Sequence, residues 1–355
     1  MQDQKNIPIL IPSMPKYKEL ENYLKRIDEN LIYSNFGPLN LELIARLAGY
    51  FNLNINQIAT ASNATLGLHG AISTSGYSSS GHWSVPSWSF TATAAAAVAS
   101  GIDFSFTDVD LEGRIIPDEK STSVVDVLPF GDDLAIDRLP GKIEVVVVDA
   151  AASFDALKSL KFKSSKRVGI VVSLHATKLL GAGEGGIFIS NDTEWVTRFK
   201  KWTNFGFTDG AVRESEFLGT NAKLSEYAAA TALASLDSWA DRRTKLQELN
   251  RVALDISLTA GLSPIAALQK NYATPYWIVE TESPIHKLEI SMRLKSDGIS
   301  FRDWWAGGCH KMPAYRNVPR TELRNTELLS EIQLGLPFHN QLSGNDLDRI
   351  KRALL

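Results

Sequence analysis

The run Val145-Val146-Val147-Val148, closed by Asp149, constrains this chain more than any other stretch. A continuous apolar run with no polar alternate position reads as a strand buried on both faces, the pattern of a parallel sheet covered on both sides. Asp149 then sits where the strand ends, and in open α/β sheets functional residues gather at such carboxyl ends. Around this strand, strand-like and helical segments are expected to alternate from about residue 55 to 235. "TASNATLGLHGAI" reads as a short strand, a capping pair Ser62-Asn63 and a helix; "WSVPSWSFTATAAAAVASG" as strand, aromatic turn and alanine-rich helix; "IDFSFTDVD" as a further strand. The alternation predicts an α/β domain with a largely parallel sheet.

Residues Tyr17 to Ile32 pattern as an amphipathic helix, "SNFGPLN" interrupts it at Gly37-Pro38, and a second helix is expected over Leu41 to Phe51. From about Leu246 the chain carries the strand-like "TPYWIVET", a helix near Pro284 to Asp297, and a last helix after "LPFHNQLSGNDLD". This predicts a smaller α+β lobe. The expected organisation is an N-terminal helix and entrance loop over 1–38, a large domain over 39–240 and a small C-terminal domain over 241–355.

Composition narrows the function classes. A formal charge of −3 and the lack of a basic block give no field for nucleic acid. The single cysteine, Cys309, excludes an intramolecular disulfide framework and fits a reducing compartment, so the expected location is cytoplasmic. The opening residues, charged only at Asp3 and Lys5 before an apolar patch broken by Pro8 and Pro12, lack a signal-peptide core, and no apolar run approaches the ~18 residues of a membrane span. The histidines at 69, 82, 175, 286, 310 and 339 show no metal-ligand spacing, and no metal is expected.

"TKLLGAGEGGIFISND" contains a formal G-x-G-x-x-G in Gly181, Gly183 and Gly186. A dinucleotide fingerprint needs a helix after the glycines, whereas these run into the strand-like Ile187-Phe188-Ile189-Ser190. Val168 to Leu174 reads as the preceding strand. The glycines instead permit close backbone approach and positive φ around a loop that carries Lys178. In isolation Lys178 reads as a solvated loop lysine, Asp149 as a strand-end turn residue, Ser173 as a local backbone cap and Phe90 as ordinary core. Together, an aspartate ending a buried strand, a lysine in an inter-strand loop and a helix N-terminus able to bind an anion suggest pyridoxal phosphate. The lysine amine forms a Schiff base with the cofactor aldehyde, the aspartate keeps the pyridine nitrogen protonated, and the helix end neutralises the phosphate.

Nearly end to end, "SNFGPL", "SNATLGL", "VPSWSFTATA", "FTDVD", "VVDAAASFDA", "SLHATKLLGAGEGG", "GTNAKLSE", "HKMPAYRN" and "LGLPFHN" resemble, in order and rough spacing, the DegT/DnrJ/StrS-type sugar-nucleotide aminotransferases. The resemblance implies a fold-type I pyridoxal-phosphate transferase, with a large domain of mostly parallel sheet flanked by helices and a smaller α+β C-terminal domain. It implies that Lys178 is the Schiff-base lysine and proton shuttle and that Asp149 is the pyridinium partner. Ser173, Ala64 and Thr65 match phosphate contacts, Phe90 a ring stacked on the cofactor, and Asn221 an asparagine that reaches the phosphate from a neighbouring subunit. A homodimer with shared active sites follows from the last.

Arg302, in "GISFRDWW", is a candidate diphosphate clamp and reads equally well as a surface arginine, and His310 and Tyr315 are further candidate substrate contacts. Trp304 and Trp305 could stack on sugar or base, with hydrophobic packing of the small lobe as the simpler account. The chain departs from the family at Ala152, where Gln or His is usual, at Asp155 in place of glycine, at Asn340 where proline is frequent, and in a shorter segment between Asp110 and Val145. The implied activity is amination of a nucleotide-linked keto sugar, a 4-keto-6-deoxyhexose in the leading reading, with glutamate as donor. A sugar dehydratase of the same fold is the alternative, and the family's dehydratases carry histidine where this chain has Lys178. A catalytically weak binding relative is a third reading, suggested by Ala152 alone.

Overall fold

A computed structural model describes residues 6–76, 81–158, 160–162, 164–208 and 212–355, so Asp3 and Lys5 lie outside it. Helices α1 (Tyr17–Asn30) and α2 (Pro38–Phe51) lead into β1 (Ile58–Ala61), α3 (Ala64–Thr74), β2 (His82–Pro86), α4 (Thr91–Ala99), β3 (Phe104–Thr107), β4 (Ser121–Val127) and β5 (Val145–Asp149). Then come β6 (Arg167–Ser173), β7 (Gly186–Ser190), α5 (Thr193–Trp202), α6 (Glu226–Asp237) and α7 (Trp239–Thr259). The C-terminal part holds β8 (Ser263–Pro264), β9 (Trp277–Glu280), α8 (Pro284–Ser296), α9 (Arg324–Ile332), β10 (Gln333–Leu336) and α10 (Gly344–Leu354).

β1 to β7 form one sheet in the order β1-β7-β6-β5-β4-β2-β3, parallel except for β7, which is antiparallel to both β1 and β6. The valine run sits near its centre. Val145 and Val147 pack into the cluster under α3, α4 and α5, whereas Val146 and Val148 face the cluster under α2 and α6, all four with no exposed surface. Two faces therefore draw on one uninterrupted apolar run. β8, β9 and β10 make a separate antiparallel sheet in the order β10-β9-β8.

Strict strand–helix alternation does not hold. Among the described residues no α-helix lies between β3 and β7; the connections there are loops, with short 3-10 turns between β4 and β5. The face they leave open is filled by Phe154, Leu157, Ile136 and Leu139 from those loops and by α2 and α6 from elsewhere in the chain. Crossovers without a helix can stay parallel here because distant helices supply the cover. The second helix also starts earlier than expected: Pro38 is its first residue, where a missing N–H costs nothing. The boundary expected at 240/241 falls inside the first turn of α7.

Two buried carboxylates lock these layers. Glu226, at the start of α6, accepts the Leu39 and Asn40 amides of α2 at 2.7 and 2.9 Å, and so caps that helix from across the chain. Gly37 is required beside it, since a Cβ there would lie 2.6 Å from Glu226 Cδ. Glu226→Ala should cost about 2–3 kcal/mol by stranding two buried amides, read as a lower urea midpoint at unchanged slope. Asp155, the residue in place of the family's glycine, accepts from Tyr50 Oη at 2.6 Å, from Arg243 Nε at 2.7 Å and from the Ala273 amide at 2.7 Å. It thus ties α2, α7 and the approach to β9 together, and the burial it shares pushes the Tyr50 phenol well above its ordinary range.

Candidate active site

Sheet register assembles the site. Asp149 ends β5 opposite Val171 of β6; Ser173 ends β6 opposite Gly186 of β7; Gly186 in turn pairs with Ala61 at the end of β1. The carboxyl ends of three parallel strands, and the start of the antiparallel strand between two of them, therefore lie side by side. The α3 N-terminus with Ala64 and Thr65 follows directly from β1. Gly186 allows the close approach: a Cβ there would stand 2.8 Å from the Asn63 carbonyl oxygen, so α3 could not begin where it does.

Asp149 is 6% exposed. Its Oδ2 accepts from Thr93 Oγ1 at 2.6 Å and its Oδ1 from the Ala151 amide at 3.1 Å. Burial raises its pKa above the ordinary carboxylate value of 3.8; the two hydrogen bonds and the charge of Lys178 oppose the rise. A desolvated carboxylate whose lone pairs are only partly used is a strong acceptor for a cationic N–H.

Lys178 lies in the loop from β6 to β7, which is closed by backbone bonds from Ala182 N to Leu174 O at 2.7 Å and from Ala176 N to Gly183 O at 2.9 Å. Gly183, at φ +84°, supplies the left-handed turn. Lys178 Nζ donates to Tyr276 Oη at 2.7 Å. Ser173 Oγ accepts the His175 amide at 3.1 Å, and the His175 ring pairs with Thr177 Oγ1 at 2.8 Å, so these side chains shape the loop around the lysine. At the α3 end, Asn63 caps the helix by accepting from Leu66 N at 2.8 Å, leaving the first-turn amides of Ala64 and Thr65 to face an anion.

Phe90, at the N-cap of α4, is 60% exposed and is not core. Asn221 is exposed, with its Oδ1 accepting from Lys223 Nζ at 2.8 Å, and its neighbour Ala222 accepts the Ser62 amide at 2.7 Å beside the α3 start. Arg302 is exposed and stacks 5.2 Å from the Trp304 ring, while its backbone pairs with Gly335. His310 and Tyr315 are brought to the β2–α4 loop, but as buried groups: His310 Nδ1 bonds Ser87 Oγ at 2.7 Å, and Tyr315 Oη bonds Thr91 Oγ1 at 2.7 Å. Burial, with Lys311 and Arg320 nearby, lowers the His310 pKa. Both residues brace the loop that carries Phe90. Trp305 stacks on Phe130 at 4.6 Å and Trp304 meets Tyr276 edge-on at 4.9 Å, an account by packing.

Sequence reasoning missed Thr93 and Tyr276, the direct partners of the two central residues. Neither carries a signal in one chain, since a threonine in an alanine-rich helix and a tyrosine before a short strand are ordinary. Among the described residues no His/Cys/Asp/Glu group could hold a metal ion, and no helix is long and apolar enough to cross a membrane.

A desolvated carboxylate, a loop lysine, a helix N-terminus beside a serine hydroxyl and an exposed aromatic ring match the ring nitrogen, aldehyde, phosphate and face of pyridoxal phosphate. The fold and this donor set define a fold-type I enzyme with pyridoxal phosphate as its cofactor. Residues 16–355 match the DegT/DnrJ/EryC1/StrS aminotransferase family, and the chain belongs to it. It is 28% identical to the dTDP-4-amino-4,6-dideoxy-D-glucose transaminase of Shigella dysenteriae, over 98% of each chain. Among solved structures it resembles DesI, determined in the presence of its TDP-sugar product, at 26% identity and TM-score 0.82, covering 99% of this chain and 92% of that one. A Brucella abortus aminotransferase of the family shares the fold at TM-score 0.80, with 21% identity over 95% and 94% of the two chains.

Proposed function

We propose that this enzyme transfers an amino group from glutamate to the keto carbon of a nucleotide-linked 4-keto-6-deoxyhexose. The observation that carries the reading is Asp149 at the end of β5 together with Lys178 in the loop that leaves the adjoining strand β6; the relatives named as sugar transaminases support the substrate class. Pyridoxal phosphate, when bound, supplies an electron sink and a carrier for the amino group between the two half-reactions. The chain does the rest. The first-turn amides of α3 and the Ser173 hydroxyl would hold the cofactor's phosphate, Phe90 would pack against its ring, and the Asp149 carboxylate would keep the proton on its ring nitrogen. Lys178 Nζ takes a proton from the donor's α-carbon and returns it on the other side of the exchange.

The working unit in this reading is a cytoplasmic homodimer in which Asn221 completes the phosphate site of the partner. In support, Leu218 is 92% exposed, and Phe205 and Tyr227 are also large apolar side chains left exposed and available to a second copy. Arg302 is the proposed contact to the nucleotide diphosphate. The test is release of 2-oxoglutarate when purified enzyme is given glutamate and dTDP-4-keto-6-deoxyglucose, with ping-pong kinetics and formation of the amino sugar. Turnover of glutamate with no nucleotide-linked ketohexose as acceptor would refute the substrate class.

A further inference from the structure

We propose that Tyr276, on the segment entering β9, is the positioning residue for Lys178, its hydroxyl holding Nζ on the path along which the proton moves. The proposal rests on the aminotransferase reading above and adds to it a residue from the sheet of the C-terminal part. Lys178 Nζ is held by this one side chain, donating to Oη at 2.7 Å. The ring is itself clamped. Trp304 meets it edge-on at 4.9 Å and Phe130 at 6.2 Å, and its backbone carbonyl accepts from Thr274 Oγ1 at 2.9 Å. A ring so held presents Oη at one place, whereas a lysine side chain left alone samples many rotamers.

The chemistry explains why the partner is a phenol. A phenol carries one O–H donor and acceptor lone pairs, so it accepts from an ammonium and donates to a free amine. A group that takes a proton and gives it back passes through both states, and Oη can stay bonded to Nζ in each. Asp149 cannot serve this way, because an ionised carboxylate has no O–H to donate to a free amine, and its oxygens accept from Thr93 Oγ1 and the Ala151 amide. Ala152 offers only a methyl group.

Tyr276→Phe keeps the ring and its packing and removes only Oη. Expected is a fall in kcat of about 10–100-fold, the scale of a small misplacement of a reacting group, with KM for both substrates within about twofold. The deuterium isotope effect on kcat with α-deuterated glutamate should rise, because proton transfer becomes slower than the steps around it. In cofactor-free protein, reductive methylation of Lys178, followed by peptide mass spectrometry, should be faster in Tyr276→Phe than in wild type, since Nζ is no longer held. Trp304→Phe, which loosens the clamp but keeps Oη, should give smaller changes in the same direction. An unchanged kcat and isotope effect in Tyr276→Phe, or a loss accounted for by weaker cofactor binding, overturns the proposal. Should wild type fail to turn over glutamate, the function reading fails, while the methylation rates still decide the role of Tyr276.

Discussion

Lys178→Ala is expected to lower kcat by about 10³-fold or more, because one atom, Nζ, both anchors the cofactor and moves the proton. The loss should fall mainly on kcat, because Nζ moves the proton in the chemical step. Stability should change little: Lys178 sits half-buried in a loop, and its polar partner is the single phenol of Tyr276. The decisive measurement combines borohydride reduction with peptide mapping. Wild type should retain cofactor mass on the peptide that contains Lys178 after denaturation, and the variant should retain none. A variant that still turns over within about tenfold of wild type would sink the assignment of Lys178 as base and anchor.

Asp149→Asn is expected to move catalysis and stability in opposite directions. An amide cannot keep a ring nitrogen protonated as a carboxylate does, so the half-reaction with glutamate should slow by about 10²–10³-fold, at the scale of losing a preorganised electrostatic partner. Without cofactor the wild-type carboxylate is a liability. Its pKa in the folded chain is raised by burial, so the stability cost is absent at pH values below its ordinary 3.8 and grows as pH rises toward and through the raised value. Asparagine removes that cost and can still accept the Ala151 amide, while Thr93 Oγ1, 2.6 Å from Ser89 Oγ, can turn to accept the new N–H and donate to the serine. Cofactor-free Asp149→Asn should therefore melt above cofactor-free wild type at neutral pH, with the gap closing in acid, and it should gain less stability from added pyridoxal phosphate. Equal melting temperatures across that pH range would show that Asp149 is not a desolvated charge in the folded chain.

The site divides by the kind of information each residue needs. Asp149, Ser173 and the α3 start were legible because each stands at a strand end or helix start, and Lys178 because it lies in the glycine-rich loop between two strands; such ends and loops are marked locally by a switch from apolar to polar or glycine residues. Phe90 was legible as an aromatic but not as an exposed one, since exposure is set by how the α4 N-terminus projects from the sheet. Thr93 and Tyr276 lie 56 and 98 residues from the groups they hold, and only packing of α4 and of the β9 segment against the large sheet brings them there. His310 and Tyr315 stand in a motif that reads as substrate-facing, yet their neighbours turned them inward as braces.

Sequence alone determined the central parallel strand and the strand–loop–strand that carries the lysine, because apolar periodicity, strand-end polarity and glycine placement are properties of neighbouring residues; the residues suggested the cofactor class, and the family came from the resemblance of its motifs. Tertiary structure alone decided that helices α2 and α6 would cover the face left open between β3 and β7, that Glu226 would cap α2, that Asp155 would tie three distant segments, and that Lys178 would rest on Tyr276. These are contacts across large sequence separations, fixed by which buried polar groups can be satisfied at the same time, and no local pattern encodes that choice.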